Sequence, residues 1–340
     1  MRFGLLLSAV HDDHTSAEVQ VSEHFRLTEL AVGYGFDLVM VGQHFLPEGL
    51  RYYQPVPYLA WLGTAFPAIR IGTGIMLLPL MRPVEAAEQI ATLDVVTGGR
   101  VVFGIGLGYT DREFEALGIP RSQRVRRLTD GLGIVRSLWA GQPTEHHGVF
   151  GDFVIKHPVI RPVQRPGPPV WLAAQAPAAV RRAALIADAW YPPPFLAHDE
   201  LRRHAVLHAD TRAAAGRPPA TQLPIRREIF IAGTAAEARA EVAPYALART
   251  RTYLDWGLRG ELGGETAMHA EDADNLDRRF LLGPPEAIAD ELLSLHADLG
   301  MTDFVYRCQW PGMPFTQTCE QLRRFGEEVI PRVQAALPAA

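Results

Sequence analysis

The fold of this chain is decided by residues 70 to 109. They begin with Arg70-Ile71-Gly72-Thr73-Gly74-Ile75-Met76-Leu77-Leu78-Pro79 and end with Arg100-Val101-Val102-Phe103-Gly104-Ile105-Gly106-Leu107-Gly108-Tyr109. Both runs are apolar on both faces, which is typical of strands covered on two sides. The stretch between them is helical, since Pro83 suits a first turn and Gly98-Gly99 ends the pattern. The sequence therefore predicts a βαβ unit with two parallel strands, both ending in glycines at the edge where α/β folds hold ligands.

The same alternation continues through the whole chain. Besides the two quoted runs, strands are predicted at residues 3–8, 36–41, 170–174, 189–191, 227–232 and 303–306, with helices between them. Two stretches break the rhythm: a hairpin and proline-rich segment at about 142–168, and a glycine-rich, charged, mobile loop at about 255–280 that could serve as a lid. We therefore predict one (β/α)8 TIM barrel domain, residues 1–340, with these two insertions.

Composition narrows the class of protein. A chain of 340 residues that is 48% hydrophobic and 21% charged can bury the core of one α/β barrel. Its net charge of −5 argues against nucleic acid as a partner. No stretch has the pattern of a signal peptide or a membrane helix, and the two cysteines have no metal or redox spacing. We expect a cytoplasmic protein that binds neither nucleic acid nor a membrane.

His44 is the candidate catalytic residue. It follows the predicted second strand, at the carboxyl edge where barrel enzymes keep their catalytic groups. An imidazole there can exchange protons near neutral pH. The alternative is an ordinary loop histidine that bonds to the backbone.

Other patterns each have two interpretations. Gly104-x-Gly106-x-Gly108 does not match the dinucleotide fingerprint, so its glycines admit either a planar ligand or close packing of backbone. The turn at residues 173–177 is the start of a helix. Its exposed backbone N–H groups, with Arg181 and Arg182 nearby, could bind a phosphate, or the turn could have no role beyond starting the helix. Arg307, after the last strand, could bind a substrate anion or a nearby carboxylate. The histidines have no spacing that predicts a metal site.

At this point the chain resembles the luciferase-like flavin-dependent monooxygenase family over nearly its whole length. The resemblance is carried by elements that occur in order: Gly35-Phe36-Asp37, Gln43-His44-Phe45, Arg70 to Pro79, Leu93-Asp94 with Gly98-Gly99-Arg100, Gly104 to Phe114, Gly283-Pro284-Pro285-Glu286 and Glu328-Val329-Ile330-Pro331.

The resemblance implies a barrel, often a homodimer, that binds reduced FMN or, in one branch, the deazaflavin F420. It places a cis peptide bond at Gly74-Ile75 against the flavin ring, with His44 near the ring's reactive face. Gly106 matches a wall of the flavin site, and Trp190 matches an aromatic residue near the ring. Ala174, Gln175 and Ala176 match the turn on the phosphate side.

The chain also departs from the family pattern. Relatives often have Glu-His-His where this chain has Gln43-His44-Phe45. Leu107 stands where some relatives have a phosphate-binding arginine, and Ala176 lacks the hydroxyl that often caps the phosphate. Phosphate binding would then rest on backbone amides and on Arg181 or Arg182.

The resemblance favours a monooxygenase that receives reduced FMN from a separate reductase and uses dioxygen to oxygenate a small organic substrate. His44 would exchange protons, and Tyr109, Arg307 and Trp310 are candidates for substrate contacts. Val56, Trp61 and Met76 could also line a substrate wall, although core packing explains Val56 and Met76 better. The alternatives are hydride transfer with F420, in which His44 takes a proton from an alcohol-like substrate, and a non-catalytic flavin-binding barrel.

Overall fold

The computed structural model describes residues 1–12, 14–257 and 273–337. Strands β1 to β11 are Arg2–Leu7, Leu38–Val41, Arg70–Thr73, Val101–Ile105, Thr144–His146, Phe153–Ile155, Val170–Ala173, Ala189–Tyr191, Pro224–Ile231, Phe280–Gly283 and Asp303–Arg307. Helices α1 to α11 are Ala17–Gly33, Pro55–Ala65, Pro83–Val96, Asp111–Ala116, Arg124–Trp139, Pro177–Ile186, His198–Ala214, Ala235–Asp255, Pro285–Leu299, Phe315–Arg324 and Ile330–Ala336. The chain is an α/β protein, as predicted.

Nine of the strands form one sheet. Their hydrogen-bonded order is β10-β9-β11-β1-β2-β3-β4-β7-β8, and the pairs with an assigned register within it are parallel. The remaining strands, β5 and β6, form an antiparallel pair within the predicted insertion. The βαβ unit predicted from residues 70–109 is present as β3, α3 and β4, with Ile71 aligned to Val101.

The prediction of a loop over residues 255–280 is wrong at its edges. Helix α8 continues to Asp255, a short 3₁₀ segment spans Ala273–Arg278, and β10 pairs with β9. The strand forms because Phe280 and Leu281 bury their side chains, Phe280 against Trp310 at 5.5 Å between ring centroids. Residues 258–272, the centre of the predicted lid, lie outside the described residues.

Contacts divide the chain into two compact units, which we describe separately. Unit 1 comprises Met1–Val39, Pro47–Arg51 and Ala174–Ala340. Its core includes an aromatic cluster around Phe325, whose ring stacks on Tyr306 at 4.4 Å and contacts Phe3 and Phe36 at 5.8 Å. This cluster joins the first strand to the C-terminal helices through burial of large apolar surfaces.

Unit 2 comprises Met40–Leu46 and Tyr52–Ala173. Trp139 on α5 packs edge-on against Phe103 of β4 at 5.6 Å and donates its indole N–H to the Ala87 carbonyl at 2.9 Å. The buried Asp94 carboxylate accepts hydrogen bonds from the backbone and side-chain amides of Gln164, at 2.9 and 2.7 Å. These bonds anchor the proline-rich segment to α3.

In the part of the chain that the structure describes, no helix is both long enough and apolar enough to cross a lipid bilayer.

Candidate functional site

His44 lies in unit 2, just beyond the carboxyl end of β2. The ends of β2 and β3 are tied together, since Gly74 N donates to the Val41 carbonyl at 2.8 Å and Gln43 N donates to the Ile75 carbonyl at 3.1 Å. The peptide bond between Gly74 and Ile75 is cis, as the family resemblance implied. These hydrogen bonds therefore hold the backbone that leads into His44 against the turn at Gly74 and Ile75.

Two glutamine side chains hold the same backbone in place. The buried Gln43 accepts from the Leu77 N–H through Oε1 at 2.8 Å and donates through Nε2 to Gln54 Oε1, also at 2.8 Å. Gln54 in turn donates to the His44 carbonyl at 3.3 Å. The amide of Gln43 is suited to this position because it must accept and donate at once, and an ionised carboxylate only accepts.

Glu113, on α4, orients the imidazole of His44. Its Oε1 lies 3.0 Å from His44 Nδ1 and accepts the backbone N–H of Phe45 at 2.7 Å. An ionised carboxylate only accepts, so a hydrogen bond to it takes its proton from Nδ1, and the tautomer that makes this bond carries its acceptor lone pair on Nε2. The side chain of Glu113 is 2% exposed and that of His44 is 15% exposed. A buried carboxylate thus fixes a partly exposed imidazole, the arrangement that lets a histidine act as a general base.

Two tyrosines flank the imidazole. The ring centroid of Tyr52 lies 4.9 Å from that of His44, and that of Tyr109 lies 5.8 Å away, both edge-on at 77°. The structure therefore brings the predicted substrate residue Tyr109 beside the predicted catalytic residue.

Gly104 in β4 and Gly106, just beyond its end, have a packing role of their own. A Cβ at Gly104 would lie 2.0 Å from the Thr73 carbonyl oxygen, and a Cβ at Gly106 would lie 1.9 Å from the Cδ1 of Ile75. Close packing against the Thr73 backbone thus accounts for Gly104, and packing against the Ile75 side chain accounts for Gly106. The cofactor contact of Gly106 remains a prediction. Gly74 and Ile75, just beyond β3, and Tyr109, beyond β4, are partly exposed, whereas the strands before them are largely buried. These partly exposed residues suit a flat ligand, so the ring end of a flavin fits the residues present.

The residues predicted for the phosphate side lie in unit 1. Helix α6 begins at Pro177, and Ala176, its N-cap residue, makes no side-chain hydrogen bond to it. Trp190 is fully buried, donates its indole N–H to the Ala174 carbonyl at 2.7 Å and stacks near His208 at 6.1 Å. These are core contacts for Trp190. The cofactor roles of Ala174, Gln175, Ala176 and Trp190 remain predictions.

Arg307 and Trp310, predicted to contact substrate, lie together in unit 1. Arg307 Nη1 lies 3.8 Å from the buried carboxylate of Glu228, and its guanidinium carbon lies 5.4 Å from the ring centroid of Trp310. Arg249, on α8, pairs with the same carboxylate at 2.7 Å and lies 4.4 Å over the indole. Of the two interpretations of Arg307 given above, the structure therefore shows the pairing with a nearby carboxylate.

Sequence reasoning missed the residues that complete these arrangements. Glu113 is 69 positions from His44 and is one of three acidic residues in a short helix, so no spacing singles it out. Glu228 lies within the strand predicted at residues 227–232 and Arg249 within a helix predicted after it, and no motif singles out either residue. Across the described residues, no group of three or more His, Cys, Asp or Glu side chains is placed to hold a metal ion.

The family comparison identifies the type of protein. Residues 1–303 match the model of the family described as luciferase-like monooxygenase. The chain is 30% identical, over 332 residues, to an F420-dependent glucose-6-phosphate dehydrogenase of Microbacterium testaceum, covering 90% of this chain and 91% of that protein. It is 29% identical over 181 residues to the oxygenase component of a flavin-dependent trigonelline monooxygenase of Acinetobacter baylyi, covering 52% of this chain and half of that protein.

The structural comparison agrees. The crystal structure of the monooxygenase RslO1 from Streptomyces bottropensis has a TM-score of 0.84 and 26% identity, with 97% of this chain and 99% of that chain covered. Relatives thus include enzymes named as FMNH2-dependent monooxygenases and as F420-dependent oxidoreductases.

Proposed function

Because the chain belongs to the luciferase-like monooxygenase family, we propose that it is the oxygenase component of a two-component monooxygenase. It would receive reduced FMN from a separate reductase and use dioxygen to oxygenate a small organic substrate. The observation that carries this proposal is the pairing of His44 with the buried Glu113 next to the open, glycine-containing strand ends. A relative named as an oxygenase component supports the two-component arrangement.

In this proposal the flavin supplies the activation of dioxygen, and the protein supplies position and proton control. The backbone at Gly74 and Ile75 would support the ring, with Gly106 behind it. The turn Ala174, Gln175 and Ala176 would hold the phosphate through its amides, and Trp190 would pack near the ring from the core. Tyr109, Arg307 and Trp310 are proposed to contact substrate.

His44 would move the proton. With Nδ1–H held by Glu113, Nε2 can accept a proton, and the carboxylate stabilises the imidazolium that results. The edge-on rings of Tyr52 and Tyr109 limit the orientations of the imidazole. The chain thus provides one general base in a fixed orientation.

Hydride transfer with F420 is the second candidate. It is favoured by the similarity to the Microbacterium testaceum dehydrogenase, which covers 90% of this chain. In that reaction His44 would take the proton of an alcohol-like substrate while hydride passes to the deazaflavin. The same imidazole and carboxylate serve both reactions, so the cofactor decides between them.

Anaerobic calorimetric titration distinguishes the two candidates. We expect reduced FMN to bind saturably and oxidised F420 to bind at least about tenfold more weakly. Tighter binding of F420 would favour hydride transfer, and no uptake of either would refute both. His44→Ala should slow reoxidation of the bound reduced flavin without abolishing its binding, whereas His147→Ala, at an exposed histidine of the same unit, should have no effect. Unchanged reoxidation in His44→Ala would favour a non-catalytic flavin-binding protein.

Several further proposals rest on the family resemblance or on the composition, charge and element pattern of the sequence. We propose a homodimer, a (β/α)8 barrel organised as one domain, and a cytoplasmic location, with neither nucleic acid nor membrane as a partner. Light scattering of the purified protein tests the dimer.

A further inference from the structure

A second pair of a histidine and a carboxylate lies in unit 1, in the loop that follows β1. His11 Nε2 lies 2.6 Å from Oε2 of Glu23, a residue of α1. A hydrogen bond to the ionised carboxylate takes its proton from Nε2, and the tautomer that makes this bond carries its acceptor lone pair on Nδ1. Among the described residues, Nδ1 of His11 has no hydrogen-bond partner. The pair is thus similar to that of His44 and Glu113, with the two ring nitrogens exchanged.

The pair of His11 and Glu23 is more open than its neighbours on α1. Gln20, Glu23 and His24 lie on one face of this helix, because they are spaced at i, i+3 and i+4. The side-chain nitrogens Gln20 Nε2 and His24 Nε2 lie 3.1 and 3.0 Å from backbone carbonyl oxygens, and both residues are at most 3% exposed. The side chains of Glu23 and His11 are instead 16% and 18% exposed. A ligand can therefore reach the imidazole of His11, whereas its neighbours bind only backbone.

Other bonds already fix the backbone around His11. Its carbonyl accepts the Arg51 N–H at 2.9 Å, and the Ser8 N–H donates to Gln309 Oε1 at 3.0 Å. The second bond joins this loop to residues 307–310, which follow the parallel neighbour strand β11 and include two residues proposed to contact substrate. The imidazole is therefore not needed to hold the loop, and it lies at the carboxyl end of a strand, where barrel enzymes keep their catalytic groups.

The charges next to His11 favour uptake of a proton. Burial lowers the pKa of His24 to about 4, its hydrogen bond to the Ser8 carbonyl opposes this change, and the charge of His11 lowers the pKa further. His24 is therefore uncharged near neutral pH and does not repel a positive charge on His11. The carboxylate of Glu23 stabilises an imidazolium that forms at this position.

We propose that His11 is a second proton-transfer residue, oriented by Glu23, which takes the proton of a hydroxyl group on the substrate. This inference rests on the proposed function and names the substrate class as compounds with an ionisable hydroxyl group, such as phenols. In the step the O–H bond of the substrate breaks, an N–H bond forms at Nδ1, and the electron pair stays on the oxygen. The oxyanion makes the substrate richer in electrons and easier to oxygenate. His11 afterwards releases the proton to the solvent that reaches its side chain.

The competing explanation is that the pair only ties the loop to α1. Removing His11 would then lower the stability of the protein and leave the binding of a phenol unchanged. A proton-transfer pair predicts a different result, because a phenol in contact with Nδ1 gives up its proton when it binds. The ionisation of a bound phenol therefore separates the two explanations.

Absorbance titration of the whole protein with 4-nitrophenol, whose spectrum shows its ionisation, tests the proposal without any cofactor. In a buffer in which the free probe is largely un-ionised, we expect saturable binding with the spectrum of the phenolate. His11→Gln should bind at least about tenfold more weakly, the loss expected for one hydrogen bond to a charged group, and leave the bound probe neutral. Glu23→Gln, which keeps the size of the side chain, should ionise a smaller fraction of the bound probe.

Two controls accompany this titration. His147→Gln changes an exposed histidine that also pairs with a carboxylate, and it should bind and ionise 4-nitrophenol as the wild type does. The probe 4-nitroanisole lacks the hydroxyl group, so its affinity should be equal in His11→Gln and the wild type.

Absence of saturable binding of 4-nitrophenol to the wild type, or a bound probe that stays neutral, would overturn the proposal. Equal ionisation in His11→Gln and the wild type would do so as well, as would ionisation that is lost in His44→Ala and kept in His11→Gln. If a cofactor binds and the phenol does not ionise, only this inference fails. If the phenol ionises at His11 and neither cofactor binds, the proposed function fails and the proton-transfer site stands.

Discussion

Replacing Glu113 by Gln tests whether this carboxylate acts through His44. The change keeps the shape of the side chain and removes the charge on the oxygen that accepts from His44 Nδ1 and Phe45 N. A hydrogen bond to a charged group is worth about 1.5–3 kcal/mol and a neutral one about 0.5–1.5 kcal/mol. The bond to His44 should therefore lose about 1–1.5 kcal/mol, which corresponds to a rate about five- to twelvefold slower for the step in which the imidazole takes a proton.

The assay is single-turnover reoxidation of bound reduced FMN, followed by stopped flow. Glu113→Gln should slow this step in the wild-type background and have no effect when His44 is already Ala, since the carboxylate would then have no imidazole to orient. In ¹⁵N spectra the imidazole of His44 should carry its proton on Nδ1 in the wild type and show increased protonation of Nε2 in the variant. Glu115→Gln, at an exposed position of the same helix, is the matched control.

An equal slowing by Glu113→Gln in both backgrounds would refute the reasoning, because the carboxylate would then act independently of His44. The reasoning would also be refuted if the slower reoxidation in Glu113→Gln were explained by a general loss of the stability of the protein. We expect instead that urea unfolding changes little, since burying a neutral amide avoids the cost of burying a charge and offsets the weaker bonds.

Three further variants test the packing and stability of the fold. Gly104→Ala should lower the free energy of unfolding in urea by roughly 3 kcal/mol or more, because its Cβ would overlap the Thr73 carbonyl oxygen. Arg100→Gln should cost about 2–4 kcal/mol in the same assay, since the guanidinium donates to the carbonyls of Thr97 and Gly63 at 2.6 and 2.7 Å. Burial lowers the pKa of His24 to about 4, so the unfolded state binds the extra proton first and stability falls as the pH drops from about 6.5 to 4. His24→Gln should make this fall shallower in unfolding curves measured across that range.

The sequence predicted most of the sheet because its strands are long enough to have their own pattern. The strand Phe280–Gly283 was missed, since four residues between charged side chains and Pro284 cannot be distinguished from the end of a loop. It exists because Phe280 packs on Trp310, a contact 30 positions away in the sequence. Tertiary packing determines such a strand, and the local periodicity of the sequence carries no information about tertiary packing.

Side-chain capping shows the same limit. Thr318 and Gln321 have the spacing of a capping box, which predicts that the last helix begins at Thr318. The structure begins α10 at Phe315, so Thr318 lies inside the helix. Gln321 instead bonds to both backbone groups of Ile231, at 2.8 and 2.9 Å. A three-residue spacing cannot show whether a side chain turns back to its own helix or across to a strand.

The candidate site explains why the chain departs from the family pattern at residues 43–45. A glutamine suits position 43 because its amide links Leu77 to Gln54, which a carboxylate could not do. Phe45 packs against the apolar cluster that includes Leu77 and Phe114. A carboxylate does contact the imidazole of His44, and it is that of Glu113, from another element of the same unit. The triplet 43–45 alone does not show this pair, because its two members meet only in the folded chain.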